Sequence, residues 1–173
     1  MNLKSEVRKE IELIIKENDI DRHSFFEVSK TKYQDIINKS FTDSTKRNDF
    51  LLYKAYLRYN KKLQFVGINE VKYTGEWWQW FRLLPQLINE PKKYVYVIFS
   101  GMTYTWVYEG KVKEIIEILY RGRPIGEGDC YIISKKYDWL IGYSDDGDYV
   151  SCLGSGLNFE TISEQKNLKI YTK

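Results

Sequence analysis

The sequence predicts an α+β fold, in which an antiparallel sheet of about five to six strands carries N-terminal and crossover helices on one face. Three observations lead there. The first stretch is amphipathic at helical period, two alternating strands further on are followed by one apolar-striped helix, and a three-strand meander comes after that helix. Hairpins and a meander joined by a single crossover helix are the marks of an antiparallel sheet. With 173 residues and no Gly/Pro/Ser linker, the chain is expected to form one domain, 1–173. Its N-terminal part, to about residue 90, reads as helical, and residues 91–173 read as sheet-rich.

Taken in order, Val7, Ile11, Ile14 and Ile15 follow the spacing of a helix with one apolar stripe. Ser5 is its expected N-cap, and the helix should end near Asn18. His23, the only histidine, falls in a polar connection before Phe25-Phe26. A lone histidine has no second histidine or nearby cysteine with which to bind a metal. Tyr33, Ile36, Ile37 and Phe41 suggest a second, short helix. Phe50 to Phe65 fits a helix through Tyr59, although Asn60-Lys61 is also compatible with a hairpin turn. Trp77, Trp80, Phe81, Leu84 and Ile88 make a further helical stripe that Pro85 should break or kink, because proline lacks the backbone donor and clashes with the preceding turn. Trp78 lies off that stripe and is the tryptophan expected at the surface.

Tyr94 to Phe99 and Thr103 to Tyr108 alternate aromatic and β-branched residues and read as strands. Glu109-Gly110 should turn the chain into a helix from Lys111 to about Tyr120, striped by Val112, Ile115, Ile116 and Leu119. Gly122 suits the position just past its end, and Pro124 prevents continuation. Leu168 to Tyr171 is a possible last strand.

The meander runs from Asp129 to Gly154. A two-residue turn at Lys135-Lys136 would set Ser134 opposite Tyr137 and Cys130 opposite Ile141. A four-residue loop at Asp145-Asp146-Gly147-Asp148, with the Asp-Gly pair that tight hairpins favour, would set Ile141 opposite Cys152. One face then collects Cys130, Ile132, Trp139, Ile141, Tyr143, Val150 and Cys152. The other, mixed in character, carries Tyr131, Ile133, Asp138, Leu140, Gly142, Ser151 and Leu153. The two cysteines flank Ile141 two strand spacings apart, roughly 9–10 Å, beyond the reach of a disulfide. Two free, buried thiols are expected, as in a reducing cytoplasm.

Composition narrows function by exclusion. A net charge of +3, from 27 basic and 24 acidic residues, gives no strong global field, and the pI of 8.6 is low for a nucleic-acid binder. The paired basics, such as Lys92-Lys93 and Lys135-Lys136, sit beside turns and read as solvated charge. No apolar run is long enough to span a membrane, and the charged N-terminus lacks the apolar core of a signal peptide. A cytoplasmic protein without cofactor is expected. Gly126-Glu127-Gly128 lacks the Lys-Ser/Thr of a phosphate loop, and Gly154-Ser155-Gly156 is too short for a nucleophile elbow. Asp145, Asp146 and Asp148 are hard oxygen ligands, yet they lack calcium-loop spacing and read as a hydrophilic turn. No catalytic or metal residue is assigned.

Two stretches carry a resemblance. Trp106 to Leu119, WVYEGKVKEIIEIL, and Tyr131 to Gly154, above all YIISKKYDWLIGYSDDGD followed by CLG, are similar to a bacterial family of unknown function. The similarity extends over roughly residues 75–154. Members are small cytoplasmic proteins often encoded near immunity-type genes, which implies an immunity or antitoxin-like binding role. This chain has Tyr143-Ser144-Asp145-Asp146-Gly147 where members often have histidines. The expected function is therefore non-enzymatic protein binding to a toxin-like partner. The contact is expected at Asp145, Asp146, Asp148, Tyr131 and Trp78, with the acidic loop meeting a basic patch. The alternative is single-stranded nucleic-acid binding through the aromatics of residues 77–81, a less favoured reading because their spacing is helical.

Overall fold

The computed structural model describes residues 3–40, 68–73, 84–101, 104–122, 129–143, 149–154, 157–158 and 168–172. In chain order the described elements are α1 (Leu3–Glu17), β1 (Phe25–Glu27), α2 (Lys30–Ser40), β2 (Ile68–Tyr73), α3 (Leu84–Leu87), β3 (Tyr94–Gly101), β4 (Tyr104–Lys111), α4 (Val112–Arg121), β5 (Asp129–Ser134), β6 (Trp139–Tyr143), β7 (Tyr149–Gly154) and β8 (Leu168–Thr172). The strands form one antiparallel sheet in the order β1-β4-β3-β5-β6-β7-β2-β8. Helices pack against its first five strands, which makes the fold α+β, the class the patterning predicts. The N-terminal part is not purely helical, since it supplies β1 and β2.

Alternation along the strands builds two apolar layers. Val95, Val97, Phe99, Trp106, Tyr108, Cys130, Ile132, Trp139 and Ile141 face one way and meet Val7, Ile11, Ile14 and Ile15 of α1, Leu84 and Leu87 of α3, and Val112, Ile115, Ile118 and Leu119 of α4. Each such aliphatic side chain contributes about 1.5–3 kcal/mol on burial. Ile98, Val107, Tyr131, Ile133 and Leu140 face the other way and meet Ile36 and Ile37 of α2. Thus α1 and α4 share one face as expected, while α2 crosses to the opposite one.

Several local expectations change. Ser5 lies inside α1 and does not cap it. In α4 the fourth buried position is Ile118, with Ile116 only partly buried. Gly122 does end α4, donating its N–H to Ile118 O at φ −81, so no left-handed residue is needed. The first amides of α4 are satisfied from the connection that leads into β3, Val112 N–H donating to Lys93 O (2.9 Å) and Lys113 N–H to Pro91 O (3.1 Å). Pro85 is the second residue of α3, where a missing donor costs little. Cys130 is free and buried, and β3 lies on its other side from β6.

Glu109 and Gly110 do not turn the chain. They extend β4 and pair with Phe26 and Phe25 of β1. A Cβ on Gly110 would stand 2.6 Å from the Phe25 ring and 3.1 Å from Ser24 O, so only glycine admits β1 this close.

Candidate functional site at the turn between β5 and β6

The β6–β7 register is the expected one, Ile141 opposite Cys152. The β5–β6 register slides by two, with Ile132 opposite Ile141 and Cys130 opposite Tyr143. A two-residue slip keeps every side chain on its face, so the apolar layers survive. Its cause is the turn, which takes four residues, 135–138. Tyr137 N–H donates to Ser134 O (2.9 Å), closing a β-turn, and Tyr137 then adopts φ +55. That left-handed backbone is costly for a bulky non-glycine residue. Ser134 and Asp138 hold it in place: the serine hydroxyl donates to Asp138 Oδ1 and accepts the Asp138 backbone N–H at 3.0 Å.

This clamp displays three residues, Lys135, Lys136 and Tyr137, of which the two lysines are exposed. The sheet beside it supplies the rest of a surface. One row across the strands runs Phe26, Glu109, Tyr96, Ile133, and the next sets Lys111 opposite Tyr94. Tyr94, Tyr96 and Tyr137 are each partly exposed. The Tyr96 and Tyr137 rings lie 6.1 Å apart. Lys135 Nζ sits 5.7 Å from the centre of the Tyr96 ring and donates to Glu109, while Lys111 Nζ sits 5.7 Å from the centre of the Tyr94 ring and donates to Ser24 Oγ at 2.8 Å. The hydrogen bond that Lys135 donates to Glu109 holds the lysine pKa above its ordinary value. Burial, followed by the neighbouring Tyr96 and Asp35, pushes the Tyr137 phenol up to about 12.

The two stretches that carry the family resemblance thus meet in space. Glu109 and Gly110 come from WVYEG, and Lys135 and Tyr137 from SKKYDWL. Ser134 and Asp138 were the readable signal for this turn, four residues apart with polar side chains able to bond each other's ends. Tyr137 itself carries no turn signature, so the residue pattern alone favours the shorter turn.

Of the residues expected to bind a partner, only Tyr131 lies among the described ones. It is 4% exposed, beneath the apolar side of α2, with its hydroxyl donating to Asp129 Oδ2 (2.8 Å). It stands opposite Gly142, where a Cβ would lie 3.3 Å from its ring. The mixed face is therefore closed at Tyr131 and, among the described residues, only partly covered at Tyr96 and Tyr137. Asp145, Asp146, Asp148 and Trp78 lie outside the described residues.

A second polar cluster ties the sheet edge to its helices. Glu27 accepts from Arg8 of α1 (2.8 Å) and from the Tyr33 hydroxyl of α2 (2.8 Å), and the Arg8 guanidinium lies 5.4 Å from the centre of the Trp106 ring. Trp106 Nε1 and the Tyr108 hydroxyl are buried without a hydrogen-bond partner. Burial first, then Glu27 and other neighbours, raises the Tyr108 pKa. Among the described residues, no group of three or more His, Cys, Asp or Glu is placed to hold a metal ion, and no helix is long and apolar enough to cross a membrane.

No curated protein and no solved structure matches this chain. Residues 3–163 match the profile of the Family of unknown function (DUF6756), so nearly the whole chain is covered, well beyond the two motif stretches, and the chain belongs to that family.

Proposed function

We propose that this chain is a non-enzymatic protein-binding module, of the immunity or antitoxin kind, which holds its partner at the surface around Tyr137. The observation that carries the reading is the strained Tyr137 backbone, locked by Ser134 and Asp138, presenting a partly exposed ring beside Tyr94 and Tyr96. Strain that the surroundings maintain is a pointer to function. Tyrosines rimmed by charge are the usual anchors of protein interfaces. Asp145, Asp146 and Asp148 would offer the partner a second, acidic contact.

One observation favours the nucleic-acid alternative. Tyr94 and Tyr96 alternate along β3, and each has a lysine ammonium beside its ring, the interleaving that single-strand platforms use. Against it, those ammonium groups already occupy the rings, and Glu109 lies within the patch. A pull-down from the native cell with wild type and Tyr137→Gly separates the readings. Glycine keeps the left-handed backbone and removes only the ring. A stoichiometric protein held by wild type and lost by the variant is expected. Equal capture by both, or recovery of nucleic acid alone, would contradict the proposal.

A further inference from the structure

We infer that the partner presents an acidic segment to this surface, and that Glu109 is a built-in placeholder which a partner carboxylate displaces from Lys135; the inference rests on the protein-binding reading above. Lys135 is pre-positioned. Its stem leaves the rigid turn, and its ammonium is fixed between the Tyr96 ring and the Glu109 carboxylate. The two partners differ in exposure: the lysine side chain is 43% exposed and the glutamate 17%. An incoming carboxylate can therefore reach the ammonium from solvent without moving the sheet. Lys136 is exposed next to it in the turn, and Lys111 stands across β3 over Tyr94, so two ammonium groups lie on the tyrosine rings.

Signs of charge decide among occupants. A basic partner would meet Lys111, Lys135 and Lys136. A continuous polyanion such as single-stranded nucleic acid would run over Glu109 and beside Asp35, whose charge is felt at Tyr137, and would find the ring faces of Tyr94 and Tyr96 already taken. Discrete carboxylates on a protein segment can take the ammonium groups one at a time and leave those acids in the gaps. Because Glu109 competes for Lys135, removing its charge should strengthen binding, an effect opposite to that expected of a residue that merely supports the surface.

The test is fluorescence anisotropy at low salt with a labelled oligoglutamate peptide, with oligolysine and oligothymidylate of equal length as comparators. Wild type should bind oligoglutamate in preference to both. Glu109→Gln should tighten it by about two- to fivefold, the range of one surface ion pair, and Lys135→Met should weaken it by a similar factor. A separate Lys136→Glu variant, at an exposed position where folding is not at stake, should also weaken it. Weaker or unchanged binding in Glu109→Gln, or indifference to Lys135→Met, would overturn the placeholder role. Preference for oligolysine would overturn the acidic partner. Preference for oligothymidylate that Tyr96→Ala abolishes would assign the surface to nucleic acid. If the acidic preference fails while Tyr137→Gly still loses the native partner, only this inference falls and the protein-binding reading stands.

Discussion

The two faces of the sheet are finished differently. On one, α1, α3 and α4 seal an apolar layer that runs from Phe25 to Ile141. On the other, α2 covers Ile98, Val107, Tyr131, Ile133 and Leu140, with Tyr96 and Tyr137 only partly buried against that layer and, among the described residues, lysines and a glutamate beside them. The sealed face accounts for stability. At the open end the tyrosines are only partly buried, and a partner can supply further contacts. Two described non-glycine residues are left-handed, Asp19 just after α1 with φ +50 and Tyr137 at the open end with φ +55.

The largest expected effect lies on the sealed face. Trp139 is 2% exposed in the main layer, so Trp139→Ala should cost about 3–5 kcal/mol in urea unfolding. Tyr96→Ala, at the open end, should cost about 1 kcal/mol or less, in line with replacements away from the core. Equal losses would erase the distinction between the faces.

Much of this division was legible in the residues, and what was missed has physical causes. Helical periodicity marked α1 and α4, and two-residue alternation marked β3 and placed Cys130, Ile132, Trp139 and Ile141 on one face of the meander and Tyr131, Ile133 and Leu140 on the other. Those signals come from burial on one side, and they survive a two-residue slip in register. The three-residue β1 is too short to show alternation. Glu109-Gly110 looked like a turn because a glycine needed for close approach reads the same as a glycine needed for chain reversal. That α2 would cover Tyr131 depended on which face a helix crosses to, and no local pattern encodes that choice. The open surface was unreadable for a similar reason: its residues come from β3, β4 and the turn after β5, and only the register brings them together.

Next in size is Gly110→Ala. The new methyl would meet the buried Phe25 ring at 2.6 Å, and overpacking of this kind costs about 1–3 kcal/mol. Thermal unfolding should show the loss, and a paired Phe25→Leu change should restore part of it. Tyr108→Phe should act in the opposite direction. It removes a buried hydroxyl that has no partner and should raise stability by up to about 1 kcal/mol, whereas a loss would reveal a hydrogen bond through buried water.

The open end also sets an alkaline limit. The folded pKa of Tyr137 is raised to about 12, and that of Lys135 is raised through Glu109. Groups with raised folded values contribute stability that is fully present below their unfolded values, near pH 10, and lost as pH climbs through the folded ones. Unfolding midpoints should begin to fall above about pH 8.5, where the unfolded Cys130 thiol ionises, and fall further toward 12, and Tyr137→Gly should flatten part of that later fall. On the sealed side, burial raises the Cys130 thiol pKa, so this thiol should resist alkylation until the chain unfolds.

The most direct test is the unfolding free energy of Tyr137→Gly from urea titration. If the strained residue exists to present its ring, glycine relieves the strain while losing modest packing, and stability should stay within about 1 kcal/mol of wild type. A loss above about 2 kcal/mol would place the ring among core residues and contradict the claim that this end of the sheet is kept open for a partner.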